Sequence, residues 1–522
     1  MKWLIFIAGL AATLFYFGAC TLDDDNGKEV TSTPIETATS GRDDVTTTES
    51  GLVENIADGA ILHCWSWSFD TIRENLDDIA AAGFSAIQTS PVSQCKTGDS
   101  NKRTSPGTIG YGNDGNGTDA WYYHYQPTDF VIGNYQLGTE DEFKEMCKAA
   151  HEKGIKVIVD AVLNHCSSDW NAISDNVKAL GSQQEIFHTA SNSADVATER
   201  YEITQYKLAG LWDLNTGNTA VQNYILSFLK QCVTDGADGF RYDAAKHIEL
   251  PDDDSHSSHD NFQSNFWPTI LENGAVFQYG EILGNTDSST RLGAYQALNF
   301  GDEGESFRTT ASAYGEKLRT AIKNNNLLNT NIKGYNIPSG SENKLVTWIE
   351  SHDNYCNDDY GSGNSWTPPS EAEIIRGYAI IASRYSGTPL FFDRPDGSGI
   401  TQSTKWGNNK LGKIGSAMFK DAQVKAVNFF RNHAGNAGET LSNPGNNTGL
   451  LMIQRGSKGF VIINNTDETV TITDADVKGI ADGKYKDAVS PSSSSRRFTV
   501  KDGKASGKIL AGKVAVFDMD AQ

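Results

Sequence analysis

Arg241 and Asp243 stand two residues apart in Gly239-Phe-Arg-Tyr-Asp243, so on an extended strand their side chains share one face. A cation held that close favours the ionised acid, which suits Asp243 to the work of a nucleophile. Glu281 ends the run Phe277-Gln-Tyr-Gly-Glu281, and Asp353 follows His352 in Glu350-Ser-His-Asp-Asn354. One charged and one protonated carboxyl, about 5 to 5.5 Å apart, form the pair that opens a glycosidic bond with retention of configuration. Glu281 is the expected proton holder, its pKa raised by the neighbouring charge of Asp243. A third acidic stretch, Asp160-Ala-Val-Leu-Asn-His165, adds Asp160, Asn164 and His165. Lys246 also invites a Schiff-base reading, which three carboxylates on three strands outweigh.

Such groups converge only if their strands are parallel and end on one rim. From Gly59 onward short β-rich runs alternate with amphipathic helical stretches, the pattern of parallel strands joined by crossover helices. The expected strands are 60–64, 86–89, 156–160, 239–243, 277–281, 297–300, 345–350 and 389–392, with helices near 72–82, 140–153 and 221–233. Eight such units fill a (β/α)8 barrel, whose chemistry lies at the C-terminal ends of the strands. The stretch 161–215 is too long for an ordinary loop and reads as a domain inserted after strand 3. Beyond Pro444 the pattern changes to the alternation of an antiparallel β-sandwich. The expected organisation is a leader at 1–19, a disordered tether at 20–55, a catalytic barrel at 56–442 and a C-terminal β domain at 443–522.

The chain has 522 residues and a formal net charge of -22, a field that repels nucleic acid and anionic membrane surfaces. Lys2 precedes an apolar run ending in Gly18-Ala19-Cys20, which resembles a lipoprotein leader cleaved before Cys20 and predicts export, with membrane contact only through a lipid on that cysteine. The acids Asp23, Asp24 and Asp25 resemble signals for the outer cell surface. Six further cysteines, Cys64, Cys95, Cys147, Cys166, Cys232 and Cys356, form no CxxC pair, and their disulfide connectivity is left open.

Four segments, Asp160 to His165, Gly239 to His247, Gly280-Glu281 and Glu350 to Asn354, resemble in order the signatures of glycoside hydrolase family 13, with Leu211-Trp-Asp-Leu-Asn215 resembling a further one. The resemblance implies an enzyme that cuts internal α-1,4 bonds of starch-like glucans, with Asp243 as nucleophile, Glu281 as acid/base and Asp353 as the third carboxylate. By the same resemblance His165 and His352 grip hydroxyls of the cleaved glucose, which stacks on Tyr125 beside Tyr122 and Gln126. Arg241, Lys246 and His247 complete the implied substrate set. Calcium is the implied cofactor, held by Asn164, Asp213 and the backbones of Thr204 and His247, all hard oxygen donors. Ser351 and Leu390 stand where a chloride-binding member carries its ligands, so no chloride activation is expected. Other α-glucan enzymes of the family and a non-catalytic glucan-binding protein are the alternatives, and a monomer acting on polysaccharide is expected.

Overall fold

The computed structural model describes residues 33–38, 45–97, 106–107, 109–111, 121–190, 192–253, 259, 262–284, 290–335, 337, 340–357, 360, 366–399, 401, 404–493 and 496–520. The expected leader, Cys20 and the acids Asp23, Asp24 and Asp25 lie outside these residues.

Eight parallel strands close into a barrel: β1 Ile61–His63, β2 Ala86–Gln88, β3 Lys156–Val162, β4 Gly239–Asp243, β5 Phe277–Gly280, β6 Arg308–Thr310, β7 Leu345–Thr347 and β8 Thr388–Phe392. Alternate residues point inward, and Ile61, Ala86, Ile158, Phe277, Val346 and Leu390 fill the interior. Helices cover the outside for the reason their spacing suggests. In Thr219–Thr234 the buried Val221, Ile225, Phe228, Leu229 and Cys232 recur every three to four residues, and Asn218 caps the first turn.

The sixth strand is Arg308–Thr310, not the expected 297–300. Asn299–Phe300 instead pairs antiparallel with Glu305–Ser306, in a hairpin whose turn includes Gly301 and Gly304 at positive φ. The true strand is short and polar, and it gave no hydrophobic signal because its inward Arg308 packs over the Phe277 ring at 4.9 Å.

The insertion after β3 is stitched at its base, where His165–Cys166 pairs antiparallel with Trp212–Asp213. Between these ends the described residues form short helices, including Arg200–Gln205, and isolated bridges such as Ser193 with Lys207.

The C-terminal domain is a sandwich. A five-stranded sheet orders Ile35–Ala38, Glu439–Ser442, Leu450–Arg455, Gly459–Asn464 and Val514–Asp518, facing a four-stranded sheet of Val470–Asp476, Lys504–Ile509, Arg497–Lys501 and Gly483–Lys486. Met452, Phe460, Ile462, Ile472, Phe498 and Val500 fill the space between the sheets. The other face, with Leu451, Ile453, Val461 and Ile463, belongs to the same core as Val427 and Phe430 of the barrel helix Ala422–Ala434.

Two expectations are corrected here. Part of the expected tether is structured, since Ile35–Ala38 pairs with Glu439–Ser442 and Leu52 and Val53 are fully buried; an edge strand gains its stability from ladder hydrogen bonds that composition does not reveal. The sandwich accordingly starts at Glu439, not 443, and includes that N-terminal strand. The six described cysteines are buried free thiols. Among the described residues no helix is long and apolar enough to cross a membrane.

Candidate active site

Strand register brings the acids together. Asp160 on β3, Arg241 on β4 and Tyr279 on β5 are consecutive Cα partners across the barrel. Gly280 pairs with Tyr242, so Glu281, whose N–H donates to the Tyr242 carbonyl at 2.9 Å, lies beside Asp243 at the same rim. A Cβ on Gly280 would lie 2.8 Å from that of Ala245, so this close approach of β5 to the turn after β4 requires glycine. Ala244 in that turn has φ 48, in the left-handed region, and its N–H donates to Glu281 Oε2 at 3.1 Å. Strain of this kind in a non-glycine residue gathers at functional sites.

Arg241 is the hub. Its Nη1 donates to both Asp160 oxygens at 2.7 and 2.8 Å and to Asp243 Oδ1 at 2.9 Å. Nη2 reaches Glu281 Oε1 at 2.5 Å. Asp353 is hydrogen-bonded to Glu281 and lies 3.5 Å from His352 Nε2. Three buried carboxyls and the half-buried Asp353 therefore gather around one guanidinium, and they cannot all be charged.

Burial raises Asp243 most; Arg241 opposes it and the charges of Glu281 and Asp160 add, leaving the carboxyl pushed up to about 8. Burial also works against the charge of Glu281, but Arg241, His352, Asp353 and the Ala244 N–H outweigh it and hold the group down to about 2. Burial and the Glu281 charge push Asp353 well up. Asp160 rises to about 6 by burial against Arg241. Burial therefore favours a proton on Asp243, while Arg241, His352, Asp353 and the Ala244 N–H favour the charged form of Glu281, so the two carboxyls are coupled through one guanidinium.

The aromatic and imidazole set lies alongside. Tyr125 stacks on His352 with ring centroids 5.1 Å apart and planes 7° apart, and donates its hydroxyl to Asp160 at 3.1 Å. His165 donates Nε2 to the Tyr125 carbonyl at 3.0 Å, so it also fixes the backbone of the platform. Burial holds His165 down to about 4 and His352 down to about 3, leaving both rings neutral. Gln126 accepts from Ser167 and Ser168, each at 3.4 Å. Tyr122 sits edge-on to Trp121 at 5.9 Å.

The implied calcium donors also converge. Asn164 donates Nδ2 to Asp213 Oδ1 at 2.9 Å, and His247 donates Nδ1 to the carbonyl of Ile203, next to Thr204, at 2.8 Å. Asn164, Thr204 and Asp213 are buried. His247 therefore ties the insertion to the turn after β4, and its ring is spent on that bond. Lys246, half-buried, gives its carbonyl to Arg200 at 2.5 Å.

Several residues that the motifs do not assign complete the picture. Asp160 is the partner that locks Arg241. Arg200 is a buried clamp, bonded also to Asp253 at 3.0 Å, to the Ile248 carbonyl at 2.9 Å and to Tyr295 at 2.7 Å. His188 lies between Asp213 at 2.6 Å and Glu249 at 3.4 Å. Burial pushes Asp213 up to about 7 and raises Glu249, so this seam is short of positive charge. Glu350, at the rim in sequence, is instead a buried ion pair with Arg394 at 2.6 Å. Of these, Asp160 and Glu350 carried a sequence signal, their places at strand ends.

Residues 66–355 match the family model described as the alpha amylase catalytic domain. An alpha-amylase of Butyrivibrio fibrisolvens is 42% identical over 490 residues, covering 89% of this chain and 47% of that protein. An alpha-amylase of Clostridium acetobutylicum is 35% identical over 473 residues, covering 89% of this chain and 54% of that protein. The chain thus spans about half the length of these relatives. Alpha-amylase I of Eisenia fetida, solved with maltohexaose, shares the fold with TM-score 0.65 at 18% identity over 88% of this chain and 97% of that one. The eight-stranded barrel, its charged rim and the matched residues together place the chain in the alpha-amylase family.

Proposed function

We propose that the chain hydrolyses internal α-1,4-glucosidic bonds of starch, glycogen and related glucans with retention of configuration. The observation that carries this reading is the gathering of Asp243, Glu281 and Asp353 around Arg241 at the barrel rim, beside the platform formed by Tyr125 and His352. A glucose seated on Tyr125 would present C1 to Asp243. The carboxylate of Asp243 forms a bond to C1 while the glycosidic C–O bond breaks, and Glu281 gives its proton to the departing oxygen. Water then loses a proton to Glu281 as its oxygen attacks C1, and Asp243 leaves as carboxylate. For this order the proton must sit on Glu281 when the bond breaks. A sugar oxygen that draws Glu281 from Arg241 Nη2 leaves that guanidinium to Asp243 and moves the shared proton in the required direction. Asp353 and His352 would hold hydroxyls of the same glucose, with Lys246 on the leaving-group side.

The residues present fit calcium. Asn164, Asp213 and the Thr204 and His247 carbonyls are hard oxygen donors, and the buried carboxyls of Asp213 and Glu249 lack a full counter-charge. The ion would supply that charge and fasten the insertion to the turn after β4, four residues from Asp243. The run after Lys2 and the small residues before Cys20 support export with a lipid anchor at a cell surface.

Digestion of amylose tests the activity. A broad ladder of maltooligosaccharides from the wild type, with rates lowered by about 10²- to 10⁴-fold in Glu281→Gln, supports the proposal. Exclusive maltose release or cyclic products would assign a different reaction to the same carboxylates, and wild-type binding without turnover would favour a glucan-binding protein.

A further inference from the structure

The ring stack at the rim does not end at Tyr125 and His352. His352 stacks on Trp65 at 6.0 Å with planes 24° apart, and Trp65 stacks on Trp406 at 6.3 Å with planes 28° apart. Trp406 in turn stacks on Tyr111 at 5.5 Å with planes 11° apart. Trp65 and Tyr111 are each 1% exposed, whereas Trp406 is only partly buried. Trp406 stacks on both Trp65 and Tyr111, which are tilted to each other by 35°, and of the three it is the one that reaches solvent.

Trp406, which follows β8, is held in place by its described neighbours. Lys405 donates Nζ to the Cys356 carbonyl at 2.7 Å, and its ammonium lies 5.3 Å from the Trp366 ring and 5.1 Å from that of Trp406. Leu411 pairs with Ile109, and Pro395 with Gly415. A large aromatic face fixed by this much packing costs little ordering on binding, which is how rigid aromatic anchors give affinity. Placement decides what it would meet. In the closed order β5-β6-β7-β8-β1-β2-β3-β4, β8 is four strands from β4, whose following turn carries Lys246 and His247. Trp406 therefore lies across the barrel from the leaving-group side, on the other arm of the cleft.

We infer that Trp406 is a sugar-stacking residue for the glycone arm of an α-glucan, two or more glucose units beyond the ring held by Tyr125, and that it sets a preference for longer chains. This rests on the proposed glucan reading, and it adds a specificity residue outside the signature segments. The test compares Trp406→Ala and Trp406→Phe with wild type in two ways. The first is the ratio of kcat/KM on maltoheptaose to that on maltotriose; the second is calorimetric binding of maltoheptaose in a Glu281→Gln background. The inference predicts that Trp406→Ala lowers both the ratio and the affinity about ten-fold, mostly through KM, with recovery in Trp406→Phe. A role confined to propping Tyr111 and Trp65 would instead lower kcat on both oligosaccharides and leave the ratio unmoved, which would overturn it. If wild type cleaves no α-glucan yet the alanine variant still loses maltoheptaose affinity, the stacking residue stands and the hydrolase reading falls.

Discussion

Two buried arginines at opposite ends of the barrel show what separates a support from a working site. At the end where β8 begins, Arg384 donates Nε to both Glu439 oxygens at 2.9 Å. Its remaining nitrogens go to Tyr314 at 2.6 Å and to the carbonyls of Ile332 and Lys333 at 2.9 and 3.1 Å. Burial opposes the charge of Glu439, but Arg384 prevails and its carboxyl is lowered. The anion is paired, every nitrogen of the Arg384 guanidinium is used, and the contact joins the barrel to the sandwich. At the other end Arg241 serves Asp160, Asp243 and Glu281 at once, with Asp353 next to Glu281. That cluster holds more acid than one cation can balance, so protons stay in it and can be redistributed. Chemistry is placed where the electrostatics are left incomplete.

The sharpest way to break this contrast is to remove each cation in turn. Arg384→Met should cost about 3 to 5 kcal/mol of stability, because Glu439 is left charged and buried, while the remaining folded protein keeps its turnover per molecule. Arg241→Met should do the reverse. Its kcat falls about 10²- to 10³-fold and its stability at pH 5 changes less, since Asp160, Asp243 and Asp353 already favour the protonated form. Urea titration and single-turnover kinetics on both variants check this, and equal stability losses would erase the distinction.

A smaller effect is expected at the insertion seam. Chelation should lower stability by about 2 to 3 kcal/mol relative to calcium at 100 times its dissociation constant, and added calcium should restore it. In Asp213→Asn the difference between chelator and calcium should shrink. Thermal melts with and without metal decide the matter, and an unchanged difference would remove Asp213 from the ligand set.

The smallest effect is the pH dependence of the buried acids. Burial pushes Asp393 up to about 7, opposed by the Ser416 hydroxyl that donates to it at 2.9 Å. An unfolded Asp titrates near about 3.9, so the folded state binds the proton more tightly. The stability this contributes is full below pH 4 and is lost as pH rises through about 7. Asp393→Asn should therefore reduce the loss between pH 5 and pH 8 by about 1 to 2 kcal/mol, measured by denaturant midpoints at the two pH values.

The segments that carry the proposed catalytic acids were legible in the sequence because they combine acids with strand-ending runs. Seven of the eight barrel strands announced themselves as short β-rich runs. Arg308–Thr310 did not, since a strand with an inward arginine and two buried threonines carries no hydrophobic period. Ile35–Ala38 was read as tether because its partner, Glu439–Ser442, lies some four hundred residues away. The sharing of Arg241 was hidden for a related reason. Spacing shows that Arg241 is near Asp243, but only the register reveals that Glu281 and Asp160 compete for the same guanidinium. The left-handed Ala244 N–H, the Arg200 clamp and the stacked Trp406 likewise arise from tertiary placement.

The central claim is that Asp243 attacks the anomeric carbon while Glu281 delivers the proton, so the freed end keeps its configuration. Proton NMR of the newly formed reducing end, recorded within the first turnovers and before mutarotation, tests it most directly. The account predicts that the α anomer appears first. Initial release of the β anomer would mean that water attacks directly, and Asp243 could not be the nucleophile.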